Sequence, residues 1–125
     1  PRGWRYVMDR KYALRSFTAT RCRNLFIGHS HRPLIITRKH FFSVNLQTVS
    51  GVAEFSVNDS KRRIINCGSV GQPRDDDPRS CYLIYDSRTC KMEFYRVSYD
   101  MGKTAKAIKN AGLPSVLGRR LLKGT

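Results

Sequence analysis

The chain has 125 residues, which suits one domain at most. Hydrophobic residues make up 40% of it, enough for a real core and too many for a disordered tail. The longest apolar runs, such as Leu34-Ile35-Ile36, fall far below the roughly 20 residues of a membrane-spanning helix, so the sequence predicts no membrane partner.

The net charge is the unusual feature of the composition. Lysine and arginine total 24 against 9 acidic residues, which gives a formal charge of +15. Solubility of a small domain requires a net charge of only about 2–8. An excess of this size is typical of proteins with a polyanionic partner, most commonly nucleic acid. A generally basic surface, or an acidic half that is not part of this chain, would account for the charge as well.

The cysteines indicate a reducing compartment. No two of them have C-x-x-C spacing, which argues against a zinc knuckle, and four cysteines in 125 residues are too few for a disulfide framework. We interpret them as reduced, mostly buried thiols of an intracellular protein, either cytoplasmic or organellar (for example mitochondrial). Because the chain begins with Pro1, we expect a processed product or a fragment that has already lost any targeting peptide.

The first half of the chain predicts one helix followed by short strands. Residues 9–20 carry apolar side chains at the spacing of one helix face. Asn24–Gly28 is a brief apolar run that predicts a buried strand by its length, and residues 29–33 then form a turn, because Pro33 cannot donate to a strand ladder. Three strands joined by short turns follow: Leu34–Arg38, Phe41–Asn45 and Val52–Val57.

The second half predicts three strands and two closing helices. Arg62–Cys67 is a strand, and the polar segment Gly68–Arg79 is a loop. A hairpin joins the next two strands, and glycine and proline then separate two helices. These last four elements are Ser80–Asp86, Lys91–Tyr99, Lys103–Ala111 and Pro114 to about Leu122. The whole pattern is mixed α/β with a large antiparallel share.

Two histidines one residue apart form the first candidate site. Gly28-His29-Ser30-His31 directly follows a predicted strand, so both imidazoles project from a rigid platform into a turn. Neutral imidazole is a common ligand of zinc, iron, copper and nickel, and Gly28 permits a sharp turn. Taken alone, the H-x-H pattern fits a surface turn with two solvated histidines better than a metal site.

The second candidate site is the loop over residues 66–74, NCGSVGQPR. Free backbone amides near its glycines, together with a hydroxyl and a guanidinium, are suited to holding an oxyanion or a phosphate group. An ordinary loop built on glycine and proline explains the same sequence. The candidates for phosphate binding are Asn66, Gly68, Ser69, Gly71 and Arg74.

Together these two segments resemble the calcineurin-like metallophosphoesterases of bacterial type. Members of that family read G-H-T-H at the first segment and N-P-G-S-V-G-Q-P-R at the second. Val97–Asp100 is similar to the family's V-x-Y-D, and Ala111–Pro114 and Arg120–Leu122 resemble its closing helices. Trp4–Asp9 is similar to the segment that follows the family's H-G-S-P-R. The resemblance therefore covers nearly the whole chain.

The resemblance implies an α/β fold over residues 1–125, namely the C-terminal half of a two-layer β-sandwich flanked by helices. Most strands are then antiparallel, and two helices close the chain. The family places two metal ions at the strand ends, where they clamp a phosphate and activate a water. By the same resemblance, His31 would ligate one metal and His29 the other. Cys67 replaces the family's proline, which costs loop rigidity but no ligand.

The family's other ligands come from Asp-x-His, Gly-Asp, Gly-Asn-His and the histidine of H-G-S-P, all at earlier positions. None of these motifs is present in this chain. We therefore expect the chain alone to hydrolyse no phosphoester. Two divalent metal ions of unassigned identity would bind only after a partner chain or segment supplies the N-terminal half. His40 and Asp75–Asp77 match no motif, and we interpret the acidic run as three solvated carboxylates.

Two functions are compatible with these residues. In the first, the chain is half of a metal-dependent phosphomonoesterase or phosphodiesterase. In the second, it is a catalytically inactive, basic scaffold that binds RNA in a ribonucleoprotein such as an organellar ribosome, because arginine pairs with phosphate and stacks on bases. The candidates for nucleic-acid binding are Arg2, Arg5, Arg10, Lys11, Arg62, Arg63, Lys103, Lys106, Lys109, Arg119 and Arg120.

Overall fold

A computed structural model describes residues 5–125 of the chain. This part contains three helices and seven strands. In chain order they are α1 (Arg10–Ala19), β1 (Asn24–Ile27), β2 (Pro33–His40), β3 (Ser43–Thr48), β4 (Ala53–Ser56), β5 (Arg63–Cys67), β6 (Ser80–Asp86), β7 (Lys91–Val97), α2 (Met101–Asn110) and α3 (Ser115–Lys123).

The strands form two sheets. The first has the order β1-β5-β2-β3, and within it β1 and β5 run parallel while the other neighbours are antiparallel. The second has the order β4-β7-β6 and is antiparallel throughout. The prediction of a mixed α/β fold with mostly antiparallel strands and two C-terminal helices is confirmed.

The main core lies between the two sheets. It contains Ile35 and Ile65 from the first sheet and Met92 and Phe94 from the second, all at most 4% exposed. The opposite face of the first sheet is covered by α1, which buries Phe17 in a second apolar cluster. An apolar face of a sheet must be covered to be stable. In the first sheet, the second sheet covers one face and α1 covers the other.

α1 and α2 each begin at an aspartate cap. Asp9 accepts a hydrogen bond from the Tyr12 amide (2.9 Å) at the start of α1, and Asp100 accepts one from the Lys103 amide (2.8 Å) at the start of α2. Because Asp100 serves as the cap, α2 starts at Met101, two residues before the predicted start.

Several predicted strands have different bounds in the structure, and β2 and β3 differ most. β2 runs on to His40, and β3 begins only at Ser43, so Phe41 and Phe42 form the turn between them. Their side chains are 73% and 70% exposed. The strand prediction at Phe41 was wrong. Aromatic residues favour strands, but the ladder passes a register shift and continues to the pair His40–Ser43, which leaves Phe41 and Phe42 as a two-residue turn.

The prediction that β1 is a buried strand is also wrong. Phe26 is 39% exposed, and within residues 5–125 β1 pairs only with β5. In the second sheet β6 likewise pairs only with β7. The Phe26 and Tyr85 rings lie 5.3 Å apart, so the free edges of β1 and β6 are on the same side of the sandwich. We call this side, bounded by β1 and β6, the open side.

The cysteines differ in burial, contrary to the prediction that most are buried. Only Cys81 is fully buried, and burial raises the pKa of the thiols of Cys81 and Cys67. Cys22 is exposed because it lies in the surface link between α1 and β1. No helix within residues 5–125 is both long and apolar enough to cross a membrane.

A buried arginine holds the acidic loop against the second sheet. The Arg96 side chain is fully buried and forms ion pairs with Asp75 and Asp77. Asp77 also accepts a hydrogen bond from Nη2 of Arg79 at 2.6 Å. The prediction of three solvated carboxylates is therefore wrong for Asp75 and Asp77, and only Asp76 is exposed.

The last helix closes onto the same loop. The Gly124 carbonyl accepts a hydrogen bond from the Asp76 amide at 3.0 Å. Gly124 is left-handed (φ +71°), and a Cβ there would lie only 2.7 Å from the backbone carbon of Asp77. Gly118 lets α3 approach α2, since its Cβ position is 3.2 Å from Cβ of Ala105. The loop over residues 68–79 is thus fixed from two directions.

We expect Gly68→Ala to lower the free energy of unfolding by about 2 kcal/mol or more. Gly68 has a φ of +80°, and its Cβ position is 2.8 Å from Sγ of buried Cys81, so the change adds both backbone strain and overpacking. Gly71→Ala is the matched control, because no atom lies within 4 Å of its Cβ position; it should cost less than about 0.5 kcal/mol. Equal urea midpoints for the two variants would contradict this close approach.

We expect Arg96→Met to destabilise the protein by about 3 kcal/mol or more, because it leaves partly buried Asp75 without its cation and removes one of the two cations paired with Asp77. Arg88→Met makes the same chemical change at a guanidinium that is 93% exposed and 4.0 Å from Asp86, and it should cost less than about 0.5 kcal/mol. Urea denaturation measures both. A small loss for Arg96→Met would show that the acidic loop does not depend on this arginine.

Stability should fall in acid partly because of Asp77. The hydrogen bond from Arg79 lowers the pKa of the Asp77 carboxyl to about 2, from an ordinary value of 3.8. The unfolded chain therefore takes up this proton at a higher pH than the folded chain does. The contribution of the Asp77 carboxylate to the free energy of unfolding is present above about pH 4 and is lost as the pH falls to about 2. Asp77→Asn should flatten the pH dependence of urea melts in this window, whereas Asp76→Asn should leave it steep.

Candidate metal and phosphate site

The two histidines lie in a turn with an uncommon backbone conformation. His29 has a φ of +76° and His31 a φ of +61°, values that few residues other than glycine adopt. Ser30 between them is 4% exposed. Such strain is of order 1–3 kcal/mol per residue and persists only where surrounding contacts hold it. The turn is therefore built to a fixed shape and differs from an ordinary solvated loop.

Asn66 supplies the contacts that hold this turn. Its side chain is 1% exposed at the end of β5. Nδ2 donates hydrogen bonds to the Gly28 carbonyl and to Oγ of Ser30, each at 2.9 Å, while Oδ1 accepts one from the Gly68 amide at 3.0 Å. The side-chain amide of Asn66 thus joins the histidine turn to the glycine loop, and its three hydrogen bonds are all made to other groups of the protein.

The ring of His31 is oriented by the loop that faces it. Nδ1 lies 2.8 Å from the Gln72 carbonyl oxygen, which can only accept, so Nδ1 carries the proton. The lone pair of the neutral ring is then on Nε2, the arrangement that a carbonyl partner typically gives to a metal-binding histidine. The Arg74 amide donates in turn to the His31 carbonyl at 3.1 Å. Residues 72–74 therefore hold both the ring and the backbone of His31.

Tyr6 is a residue of this site that the sequence did not single out. Its ring stacks on His29 with centroids 4.6 Å apart, and its hydroxyl accepts a hydrogen bond from Nη1 of Arg74 at 3.3 Å. Tyr6 lies in the Trp4–Asp9 segment that resembles the family. That resemblance was the only available signal, because a lone tyrosine upstream of a helix carries none.

The glycine loop is ordered by its own polar groups. Oγ of Ser69 accepts a hydrogen bond from the Gln72 amide at 2.9 Å, and the Ser69 carbonyl accepts one from the Cys81 amide at 2.8 Å. Nη2 of Arg74 donates to Oε1 of Gln72 at 2.7 Å. Gly71 is exposed at the outer side of the loop. The predicted phosphate-binding residues thus lie together, next to the histidine turn.

The metal-ligating residues of the described chain do not complete a metal centre. Residues 5–125 contain no group of three or more histidine, cysteine, aspartate or glutamate side chains that could hold a metal ion. His29 and His31 have the right chemistry for two ligands, and the tautomer of His31 suits coordination through Nε2. Further ligands are needed before two metal ions could be held.

The basic residues predicted to bind nucleic acid are spread over three regions. Arg5, Arg10 and Lys11 lie at α1, where Arg5 donates to the Tyr12 hydroxyl at 2.8 Å and Arg10 donates to the Phe42 carbonyl. Arg2 lies outside the described residues. Arg62 immediately precedes β5 and Arg63 is its first residue. Arg63 is only 7% exposed and is paired with Asp59 at 2.7 Å. The remaining candidates lie on α2 and α3 and are exposed: Lys103, Lys106, Lys109, Arg119 and Arg120.

Comparison with known proteins connects this geometry to a family. No protein-family model matches the chain. An uncharacterized protein of Methanocaldococcus jannaschii is 38% identical over 100 residues, which are 80% of this chain and 39% of that protein. The crystal structure of a metallophosphoesterase from Sphaerobacter thermophilus superposes with a TM-score of 0.91 at 36% identity, covering 98% of this chain and 50% of the other.

The chain thus spans half or less of the length of these relatives. The superposition takes in the histidine turn, the glycine loop, both sheets and the closing helices, since it includes nearly every residue. The chain has the fold of the C-terminal half of a calcineurin-like metallophosphoesterase.

Proposed function

We propose that this chain supplies half of the active site of a metal-dependent phosphoester hydrolase, and that a chain or segment carrying the N-terminal half of the fold supplies the rest. The observation that carries the proposal is the histidine turn. Two left-handed histidines are held by a buried asparagine, and His31 is held as the tautomer with its Nε2 lone pair available. A remnant without function has no need of this strained arrangement.

In this proposal the chain contributes positioned ligands and a phosphate-facing loop. His29 and His31 would each hold one of two divalent metal ions, which when bound clamp a phosphate and activate a water. Arg74 and the amides near Gly71 would face the phosphate, because they lie beside the histidine turn. Asn66 and Tyr6 position these groups through the contacts described above.

The open side is where the completing half would bind. Within residues 5–125 the outer edges of β1 and β6 on this side pair with no further strand, and unpaired edges readily add strands. Apolar side chains are exposed beside them, with Phe26 at 39% and Ile84 at 48%. The histidine turn directly follows β1, the edge strand of this side. Strands added to the edge of β1 would therefore bring their own carboxylates and histidines close to His29 and His31.

The first experiment isolates the chain under native conditions and identifies what stays with it. We expect polypeptide that carries Asp-x-His and Gly-Asn-His motifs, either continuous with this chain or as a partner. Recovery of RNA and many basic proteins, without such polypeptide, would contradict the proposal and favour the scaffold function.

On the completed protein, we expect His31→Ala and His29→Ala each to lower metal-dependent hydrolysis of p-nitrophenyl phosphate or bis(p-nitrophenyl) phosphate by more than about 100-fold, since loss of even an outer contact to a metal ligand costs 10- to 100-fold. Both variants should also bind less metal, measured by elemental analysis after dialysis. A chelator should abolish the activity of the unmodified protein, and a divalent ion should restore it.

His40→Ala is the matched control for these variants. His40 lies at the opposite end of β2 from the histidine turn, and its side chain is exposed. Hydrolysis of these small substrates and the metal content should be unchanged by the substitution. Equal losses for all three variants, or full activity of His31→Ala, would rule out the assigned ligands.

A further inference from the structure

The end of the first sheet opposite the histidine turn contains a basic cleft of about 280 Å³. β2 ends and β5 begins at this end of the sheet, which brings Arg38 and Lys39 beside Lys61 and Arg62. The strand directions alone dictate this meeting, because β2 runs antiparallel to β5. Four cations thus line one small cleft.

The two arginines of the cleft are held in place on one aromatic ring. The guanidinium carbon of Arg38 lies 5.8 Å from the ring centroid of buried Phe17, and that of Arg62 lies 5.4 Å from it. Arg62 also donates to the Phe17 carbonyl at 2.9 Å and to the Cys22 carbonyl at 3.3 Å. Because these side chains are already ordered, binding an anion near them costs little conformational entropy.

The charge of the cleft is largely uncompensated. Among residues 5–125 the only carboxylate paired with its walls is Asp59, whose oxygen lies 3.6 Å from Nζ of Lys61. That carboxylate pairs more closely with Arg63, at 2.7 Å. Arg38, Lys39 and Arg62 form no ion pair within the described part of the chain. A polyanion is therefore the ligand that the electrostatics favour.

Two exposed aromatic rings lie in the turn that directly follows Arg38, Lys39 and His40 of the cleft wall. Phe41 and Phe42 form the turn after β2 and are 73% and 70% exposed, with ring centroids 5.2 Å apart. The guanidinium carbon of Arg38 lies 5.2 Å from the centroid of the Phe41 ring. Cations that follow a backbone, next to aromatic rings on which bases stack, are the combination by which proteins bind single-stranded nucleic acid.

We propose that this surface binds single-stranded nucleic acid. We call it the hairpin cleft. Lys39, Lys61 and the guanidinium of Arg38 would contact phosphates, and one or two bases would stack on the exposed rings. A duplex keeps its bases stacked inside and would leave both rings unused. The hairpin cleft is defined by Arg38, Lys39, Phe41, Phe42, Lys61 and Arg62.

The hairpin cleft is separate from the candidate metal site. β2 spans the sheet from Pro33 beside the histidine turn to His40 at the cleft, which at about 3.3 Å per residue is roughly 23 Å. A single phosphate cannot contact both places. Nucleic-acid binding here therefore does not depend on the proposed hydrolase function, and either one can fail alone.

The test measures fluorescence anisotropy of labelled 12-nucleotide oligouridylate and oligothymidylate with the purified full chain, in EDTA and at 50–200 mM KCl. The double substitution Lys39→Ala/Lys61→Ala should weaken binding at least about tenfold at the lowest salt. It should also reduce the slope of log K against log salt by about 1.4, since each single-strand phosphate contact contributes about 0.7. Phe41→Ala/Phe42→Ala should weaken binding at least about fivefold and leave the slope unchanged.

Lys103→Ala/Lys106→Ala on α2 is the matched control, because it removes the same charge from an exposed helix face outside the cleft. It should change affinity by less than about twofold. Circular dichroism checks that every variant is folded. Equal losses for both lysine pairs would show diffuse binding to a basic surface and overturn the proposal. So would no effect of the phenylalanine pair, equal affinity for a duplex of the same length, or no binding at 50 mM KCl.

Discussion

The candidate site depends on one buried amide. Asn66 joins the turn that carries the two histidines to the loop that carries Gly68, and it uses both ends of its side chain to do so. These bonds hold the left-handed turn from the side of β5, as residues 72–74 hold it at His31. Leaving a buried polar partner unsatisfied costs about 1–3 kcal/mol. Asn66 therefore has a structural role near the end of β5, since its side chain is buried and its hydrogen bonds fix the two segments of the site.

The sequence predicted most of the fold because the elements follow local patterns. The hairpin before Lys91 and the histidine and glycine segments were predicted from short stretches, whereas the cap at Asp100, which starts α2 two residues early, was not. Two other misses are non-local. Arg96 meets the acidic run 19 to 21 residues earlier only when the loop folds onto β7. β1 was expected to be buried because it is apolar, yet within residues 5–125 it pairs only with β5, and Phe26 is 39% exposed.

The first sheet has two ends with different chemistry. At one end, the parallel pair β1 and β5 delivers the histidine turn and the glycine loop to the same place, because parallel strands end together. At the other end, the start of β5 and the end of β2 bring cations and exposed phenylalanines together. The metal and phosphate site that the resemblance to metallophosphoesterases implies is at the first end. The resemblance implies no function for the second end. The sequence showed the high net charge. It did not predict that Arg38 and Lys61, which are 23 residues apart in the chain, line the same cleft.

The parallel pairing of β1 with β5 also bears on the order of folding. Asn24 pairs with Arg63, so the two strands are separated by β2, β3 and β4 along the chain. Closing so long a loop has a larger entropic cost than forming a local hairpin such as β6–β7. Non-local strand pairing is correspondingly slow. The histidine turn acquires its shape only when this pairing is complete. We therefore expect the hairpins of a folding chain to form before His29 and His31 take up their positions.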